Sequence, residues 1–463
     1  MNPRSCSRKA AVIMALLLPW AGGSVVRAQM AVTPPSQPTA AQSSTEQGQT
    51  LMTETFDFRD FQLETRRKAL EDTKFEFNIR TYYFNRENFN GSQNEAWAIG
   101  GWGGIKTGYF LDHFAFGVTG YTSQPLYAPD DKDGTLLLKP GQEGYAVLGE
   151  AYAEIRIVDD MILSIGRKAY DTPFINKNDS RMTPNTFEAI VLQGRFDVET
   201  LPPAPPTTKD AEPAPARKPA SIKYGVGYFE EIKERNSDKF VSMSQDAGAP
   251  VDHGVLTAGA LYERGKFSVG AIDYYNQDVI NIAYAEMKNE FSLGSVKPRW
   301  AVQFVDQRSV GDEVLQATPF SVRQFGVKFE VPVSDFLFTA GYTQASNGNA
   351  NLRAPWSGYP GYTSVQVQDF NRAGENAFLI RVGYDFPCVP GLSAYALAVF
   401  GGDPQDPNQF RQDEYDANVQ WTPPKGILKG LSVRFRYALV QQHGGNVQDL
   451  TDLRGIVNYV IKF

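Results

Sequence analysis

From Thr73 to the carboxyl terminus the chain repeats one pattern, in which short runs of alternating apolar and polar residues are separated by turn-forming residues. The last run, TDLRGIVNYVIKF (451 to 463), is the clearest. Leu453, Val457, Tyr459, Ile461 and Phe463 take one parity, and Asp452, Arg454, Asn458 and Lys462 take the other. Successive side chains of a strand point to opposite faces, so this run has one apolar and one charged face. Its length suits a tilted membrane-spanning strand of about 9 to 11 residues. In FLIRVGYDF (378 to 386), Phe378, Ile380, Val382, Tyr384 and Phe386 oppose Arg381 and Asp385. In SVRFRYALV (432 to 440), Val433, Phe435, Tyr437 and Leu439 oppose Arg434 and Arg436, and near residue 77 Phe75, Phe77 and Ile79 oppose Glu76 and Arg80. A single such segment fits a half-buried strand of a soluble sandwich equally well.

The number and rhythm of the runs separate the two architectures. Eighteen runs are expected as strands: 73 to 85, 95 to 110, 114 to 123, 145 to 158, 160 to 169, 186 to 197, 221 to 231, 254 to 263, 266 to 276, 283 to 294, 298 to 308, 321 to 332, 336 to 345, 376 to 386, 392 to 402, 413 to 422, 431 to 441 and 451 to 463. Those at 186 to 197 and 283 to 294 alternate poorly. Short connections such as 111 to 113, 263 to 266 and 332 to 335 take turns with long ones such as 124 to 144, 170 to 185, 232 to 253 and 346 to 375. Bacterial single-chain membrane barrels have an even strand number, short periplasmic turns and long outer loops. The pattern therefore predicts an all-β protein, a transmembrane antiparallel up-and-down β-barrel of 18 strands spanning 71 to 463. A charge facing lipid costs about 2 to 4 kcal/mol at mid-membrane, so the arginines of these runs must face the lumen. Gly101, Gly103 and Gly104, around Trp102, mark a bend or a close strand approach in the second strand.

The amino terminus sets the compartment. Arg4, Arg8 and Lys9 precede an apolar run from Ala10 to Gly23 and a small-residue site at Val26-Arg27-Ala28, the layout of a signal peptide spanning 1 to 28. Export to the bacterial outer membrane is the expected destination. No later segment has some eighteen apolar residues in a row, so no membrane helix is expected. Cys6 would leave with the signal, and one remaining cysteine, Cys388, gives neither an internal disulfide nor a zinc pair. Loss of residues 1 to 28 removes four positive and no negative charges, taking the net charge from −7 to −11 and arguing against a nucleic-acid partner. Residues 29 to 70 form an amino-terminal tail whose Pro, Ser, Thr and Gln content suits disorder, with 56 to 70 either a short amphipathic helix or a solvated linker. No phosphate-cradling glycine loop and no His/Cys cluster is present, so no cofactor, nucleotide or metal is expected.

Longer motifs carry a resemblance. LLKPGQEGYAVLGEAY (137 to 152), GRKAYDTPFINKNDSRMTPNTFE (166 to 188), KERNSDKFVSMSQDAG (233 to 248) and the stretch from DEYDANVQW to Phe463 resemble the OprD-like family of bacterial outer-membrane porins. The resemblance covers about 70 to 463. It implies a monomeric barrel for passive, substrate-selective diffusion of small water-soluble compounds, mainly carboxylates such as organic acids and amino acids. It also implies an inward-folded constriction loop after the fifth strand, here Asp171 to Asn185, with Asn176, Asn178, Asp179 and Arg181 between them. Pro173 and Pro184 fix backbone angles there and the Asn and Asp side chains satisfy their own backbone, although alone the run reads as a surface loop.

The resemblance further implies a basic ladder on one lumen wall, at Arg381, Arg434 and Arg436, with Arg167 beside the loop. Arg80 and Arg454 extend it by parity. Guanidinium groups stay charged and offer forked donors to a carboxylate, each contact being weak enough to release. The alternative for any one arginine is an ion pair with a lumen acid such as Glu76, Asp385 or Glu414. The terminal pattern of Tyr459, Ile461 and Phe463 looks like the family's signal to the barrel-assembly machinery, and lipopolysaccharide would be the outer-leaflet neighbour. A Pro-rich insertion at 199 to 220 departs from the family pattern at a periplasmic turn, either as a tolerated insertion or as a tether to a periplasmic partner. The rivals are a lipid hydrolase barrel, which needs a base beside a serine and has only His113, His253 and His443 to offer, and a non-transporting structural or adhesive barrel.

Overall fold

The computed structural model describes residues 58 to 198, 219 to 316 and 318 to 463. The expected signal segment, most of the tail and nearly all of the Pro-rich insertion lie outside the described residues. An α-helix, α1, runs from Phe58 to Glu71. Where an amphipathic helix and a linker were alternatives, the chain takes the helix.

Eighteen long strands follow. They are β1 (Lys74–Glu87), β2 (Gln93–Lys106), β3 (Phe114–Tyr127), β4 (Tyr145–Val158), β5 (Met161–Lys168) and β6 (Thr186–Asp197). Next come β7 (Ser221–Lys233), β8 (Val255–Arg264), β9 (Phe267–Asn276), β10 (Ile280–Glu290), β11 (Arg299–Arg308) and β12 (Ser321–Val333). The set ends with β13 (Phe336–Ala345), β14 (Asn376–Asp385), β15 (Leu392–Gly401), β16 (Gln412–Trp421), β17 (Leu431–Gln442) and β18 (Leu450–Lys462). A two-residue segment, Val241–Ser242, pairs with the end of β7 and leads into a short helix, α2 (Met243–Asp246).

Each strand pairs antiparallel with its sequence neighbours, and β1 closes the cylinder on β18 from Glu76↔Lys462 to Glu87↔Thr451. Closure removes every sheet edge, as a strand in hydrocarbon requires. The strands keep the parities read from the sequence. On β14, Phe378 and Ile380 are exposed while Leu379 is buried, and on β1 Phe75, Phe77 and Ile79 are exposed while Tyr82 and Phe84 are buried. The weakly alternating tenth run is a strand at 280 to 290, three residues earlier than expected, because Ile280, Ile282 and Tyr284 face inward and their neighbours are mostly small or polar. The close approach expected at the glycines is real. Gly101 has φ +123, and a Cβ there would lie 1.9 Å from the Asn78 carbonyl oxygen on β1.

Three apolar clusters line the inside of the wall. The largest joins inward residues of β6 to β12, such as Tyr274, Tyr284 and Val305, to Phe174, Ile175, Met243 and Trp356 from the long connections. A second joins Tyr82, Phe84, Ala96 and Ala98 to Leu137, Leu138 and Met182, and a third packs Phe370 on Leu379, Tyr395, Leu397 and Val399. Burying an aromatic side chain is worth roughly 1.5 to 3 kcal/mol, so these clusters fix the long connections inside the barrel.

Near the long-loop end, Asp246 of α2 is driven up to about 8, first by burial and then by the negative charge of Glu234. Its Oδ2 has no hydrogen-bond partner among the described residues. A released loop ionises this carboxyl near pH 4 whereas the docked loop keeps it protonated to about 8. The docked state therefore holds the extra proton, and its stability falls as pH rises through that window. Asp246→Asn is expected to remove the dependence. Amide exchange of residues 241 to 255 at pH 6 and pH 8, corrected for intrinsic rates, should show protection lost at pH 8 in the wild type and kept in the variant.

Candidate functional site

One arc of the inner wall, from β14 through β18 to β1, carries most of the inward-facing arginines. Hydrogen-bond register aligns Arg381, Leu397, Asp416, Ala438, Asp452 and Arg86 in one row. The next row towards the short-turn end holds Gly383, Tyr395, Asn418, Arg436, Arg454 and Phe84. The third holds Asp385, Ser393, Gln420, Arg434, Ile456 and Tyr82, and Arg80 follows opposite Asn458. Rows are two residues apart, about 6.7 Å along each strand. Guanidinium groups thus recur at each step of the wall.

These arginines fall into two groups. Arg454 is 2% exposed and its Nε lies 2.6 Å from Asp452 Oδ1, while Arg86 Nη2 lies 2.7 Å from Asp452 Oδ2. Arg80 lies 2.5 Å from Asp179 of the β5–β6 loop. Arg381, Arg434 and Arg436 form no ion pair with any described residue. Arg434 donates from Nε to Asn418 Oδ1 at 3.1 Å, and the Arg381 guanidinium carbon lies over the Tyr395 ring, 3.8 Å from its centroid. The Nε atoms of Arg381 and Arg436 have no protein partner among the described residues. A ring beneath the guanidinium holds it in place without a counter-charge, so the positive charge on this wall is left unneutralised by the protein.

The β5–β6 loop makes its contacts on the lumen side of the wall. Besides Asp179, its Arg181 carbonyl accepts from Arg80 and its Arg181 Nε donates to the Thr135 carbonyl at 2.9 Å. Arg181 is 7% exposed, lies over Phe84 and braces the wall. The amide side chains bond the loop's own backbone, as their composition suggested, and also tie the loop to Arg235 beyond β7. Asn178 N–H bonds Asn176 Oδ1 at 3.0 Å, Asn178 Oδ1 accepts from Arg235 at 3.0 Å, and Asn185 Oδ1 accepts the Arg235 N–H at 2.8 Å. Asp171 pairs with Lys177 at 3.1 Å.

Two expectations need correction. Arg167 does not line the lumen. It is in register with Glu188, its parity mates Ile165 and Ile190 are exposed on the outer wall, and its guanidinium bonds Glu188 at 2.7 Å beneath Phe240. Proximity in sequence to the loop suggested a lumen position, but strand parity decides direction. Glu414, named as an ion-pair partner for the arginines, instead accepts backbone N–H bonds from Val367 at 2.8 Å and Gln368 at 2.7 Å. Glu76 pairs with Lys462 at 2.9 Å.

Sequence reasoning missed two features. Arg86 has the parity of Arg80, but the expected strand stopped at 85. The β13–β14 loop (346 to 375) also folds inward, with Trp356 fully buried and its Nε1 donating to the Met243 carbonyl at 2.7 Å. It meets the β5–β6 loop where the Gly358 N–H reaches Asn176 Oδ1 at 3.3 Å. The signal was present in Trp356, Tyr359, Tyr362 and Phe370, more aromatic surface than a water-exposed loop has use for. A cavity of about 830 Å³ opens on the opposite wall, lined by Tyr170, Tyr224, Tyr284, Glu286 and Lys288, away from the unpaired arginines.

The family described as outer membrane porin, OprD family, matches residues 68–201 and 220–463. This chain belongs to the OprD family of outer-membrane porins. The gap in that match falls on the Pro-rich insertion. Among solved structures, Pseudomonas aeruginosa OccK9 (OpdG) is 24% identical with a TM-score of 0.73, covering 85% of this porin and 100% of its own chain. P. aeruginosa OpdK, solved with vanillate, is 20% identical with a TM-score of 0.70 over the same shares. Acinetobacter baumannii OccAB3 is 19% identical with a TM-score of 0.72, again over 85% and 100%. A comparison with curated proteins found no match. As an outer-membrane barrel, the porin has its short turns at the periplasmic end and its long loops at the cell surface. On β18 the outward side ends in Tyr459, Ile461 and Phe463, and the Phe463 amide and carbonyl pair with Phe75 at 3.0 and 3.1 Å.

Proposed function

We propose that this porin passes small water-soluble compounds bearing a carboxylate, organic acids or amino acids, by passive diffusion along Arg381, Arg434 and Arg436. The observation that carries the reading is that these three lumen arginines have no acidic partner among the described residues, on a wall where Arg80, Arg86 and Arg454 all have one. Opposed loops 170 to 185 and 346 to 375 would narrow the bore beside them, so a solute must pass within reach of the open guanidinium edges. The charge that selects is local, because fields are focused in a narrow low-dielectric ring, and the overall acidity of the chain is a poor guide to it. That OpdK was solved with vanillate, an aromatic carboxylate, agrees with this class. A channel needs no base or nucleophile, and the histidines are used otherwise, His113 and His253 bonding carbonyls and His443 bonding Asp413.

The terminal aromatic pattern would be read by the barrel-assembly machinery, and the exposed girdle would meet outer-membrane lipid and lipopolysaccharide. The insertion at 199 to 220 is a tolerated addition to the periplasmic mouth. In a planar bilayer with a tenfold gradient of sodium benzoate, the reversal potential should take the sign of an anion-selective pore. Ideal cation selectivity, or no conductance at all, would overturn the reading.

A further inference from the structure

Glu414 and Asp416 sit on the same wall as the open arginines, yet pair with none of them. Asp416 is the diagonal neighbour of Arg436, which stands opposite Asn418 on β16, a spacing long side chains readily bridge. Both Asp416 Oδ1 and Arg436 Nε are buried without a partner among the described residues. What occupies the acids is the tip of the β13–β14 loop. Val367 and Gln368 give their N–H groups to the two oxygens of Glu414, and the Gln366 N–H reaches Asp416 Oδ2 at 3.2 Å. The tip also engages the neighbouring Arg454–Asp452 ion pair, since Arg454 Nη2 donates to the Gln366 carbonyl at 2.9 Å and Gln366 Nε2 donates to Asp452 Oδ1 at 2.8 Å. A turn closed by Val365 N–H to Gln368 O at 3.0 Å holds the three amides together.

We propose that this loop tip is a specificity-determining latch, which holds Glu414 and Asp416 away from Arg436 with backbone amides and so leaves the arginine row free for solute. The inference rests on the reading of Arg381, Arg434 and Arg436 as the anion path. Amide donors satisfy a carboxylate without bringing a second positive side chain, so the wall keeps its acids and its open cations side by side. With the tip lifted, buried Asp416 has lost its amide donor, and the Arg436 guanidinium is its diagonal neighbour. The two would then pair and cancel, and a wider pore would become a less anion-selective one. A loop that only narrows the bore predicts the opposite combination, with higher conductance and unchanged charge preference.

Gln366→Pro with Val367→Pro and Gln368→Pro removes the N–H donors to Asp416 and Glu414 while leaving every charge in place. The anion-to-cation permeability ratio of the purified full-length channel, from reversal potentials in a salt gradient, is expected to fall about threefold or more. Adding Glu414→Gln and Asp416→Asn to that variant is expected to restore it, because an amide cannot cancel a guanidinium. A variant with residues 364 to 369 replaced by two glycines should repeat both results if the proline variant inserts poorly. An unchanged ratio in the loop variants, or a loss that the amide substitutions do not reverse, overturns the latch. Arg434→Ala with Arg436→Ala, in the native loop, separates the two ideas. If this variant keeps the wild-type ratio, the anion path itself is wrong, whereas a lowered ratio beside unaffected loop variants rejects the latch alone.

Discussion

Replacing Arg434 and Arg436 by alanine together should abolish anion preference and cut carboxylate flux by about tenfold or more, the equivalent of some 1.4 kcal/mol of lost interaction. The two occupy consecutive rows of β17, one opposite Asn418 and the other opposite Gln420, with no acid of the wall bound to either. Their charge is thus directed at whatever passes through the lumen. Charge-assisted hydrogen bonds are worth about 1.5 to 3 kcal/mol each, so removing two adjacent steps leaves a solute a long gap between Arg381 and Arg80. Arg80 is itself held by Asp179. The barrel should remain intact, since neither side chain is half of an ion pair and its loss strands no buried acid partner. Radiolabelled benzoate uptake into liposomes, beside the reversal potential, gives the measurement, and wild-type values for both would reject the assignment.

The largest effect on stability is expected from Asp452→Ala. That carboxylate lies at 0% exposure between Arg454 and Arg86 and also holds Gln366 of the β13–β14 loop. Its removal strands a fully buried guanidinium, and breaking a buried ion pair from one side typically costs about 3 to 5 kcal/mol. The midpoint of unfolding, followed by gel mobility of heated samples in detergent, should drop by many degrees. Arg167→Ala is the matched control. Its pair with Glu188 is on the outer wall and 38% exposed on both sides, where ion pairs are worth about 0 to 1 kcal/mol. A midpoint for Asp452→Ala no lower than that of Arg167→Ala would show that the Asp452 network does not brace the barrel.

The contrast between Arg167 and Arg434 shows where sequence reading succeeds in such a protein. Arg434 and Arg436 lie within an uninterrupted alternation whose other parity is Val433, Phe435 and Tyr437, so their direction follows from two-residue periodicity alone. Arg167 follows Gly166, with φ +107, in the shortest long strand of the barrel, and its lumen position was inferred from nearness to a motif. Reading the parity outward from Ile165 would have placed it on the outer face. Arg86 was lost to a strand end set two residues early, although Arg80, Tyr82 and Phe84 already defined its face.

The sequence by itself determined the cylinder: eighteen strands, their inward and outward faces, and the wall on which Arg381, Arg434 and Arg436 stand. It could do so because the hydrocarbon around the barrel and the water within it act on every residue separately, and each position records its own solvent in its side chain. Only the tertiary structure decided which of those arginines are neutralised. That Asp452 takes Arg454 and Arg86, that Asp179 takes Arg80, and that Gln366 to Gln368 occupy Glu414 and Asp416 depends on loops crossing the lumen between residues far apart in the chain. Such contacts have no period, so no pattern along the sequence can announce them.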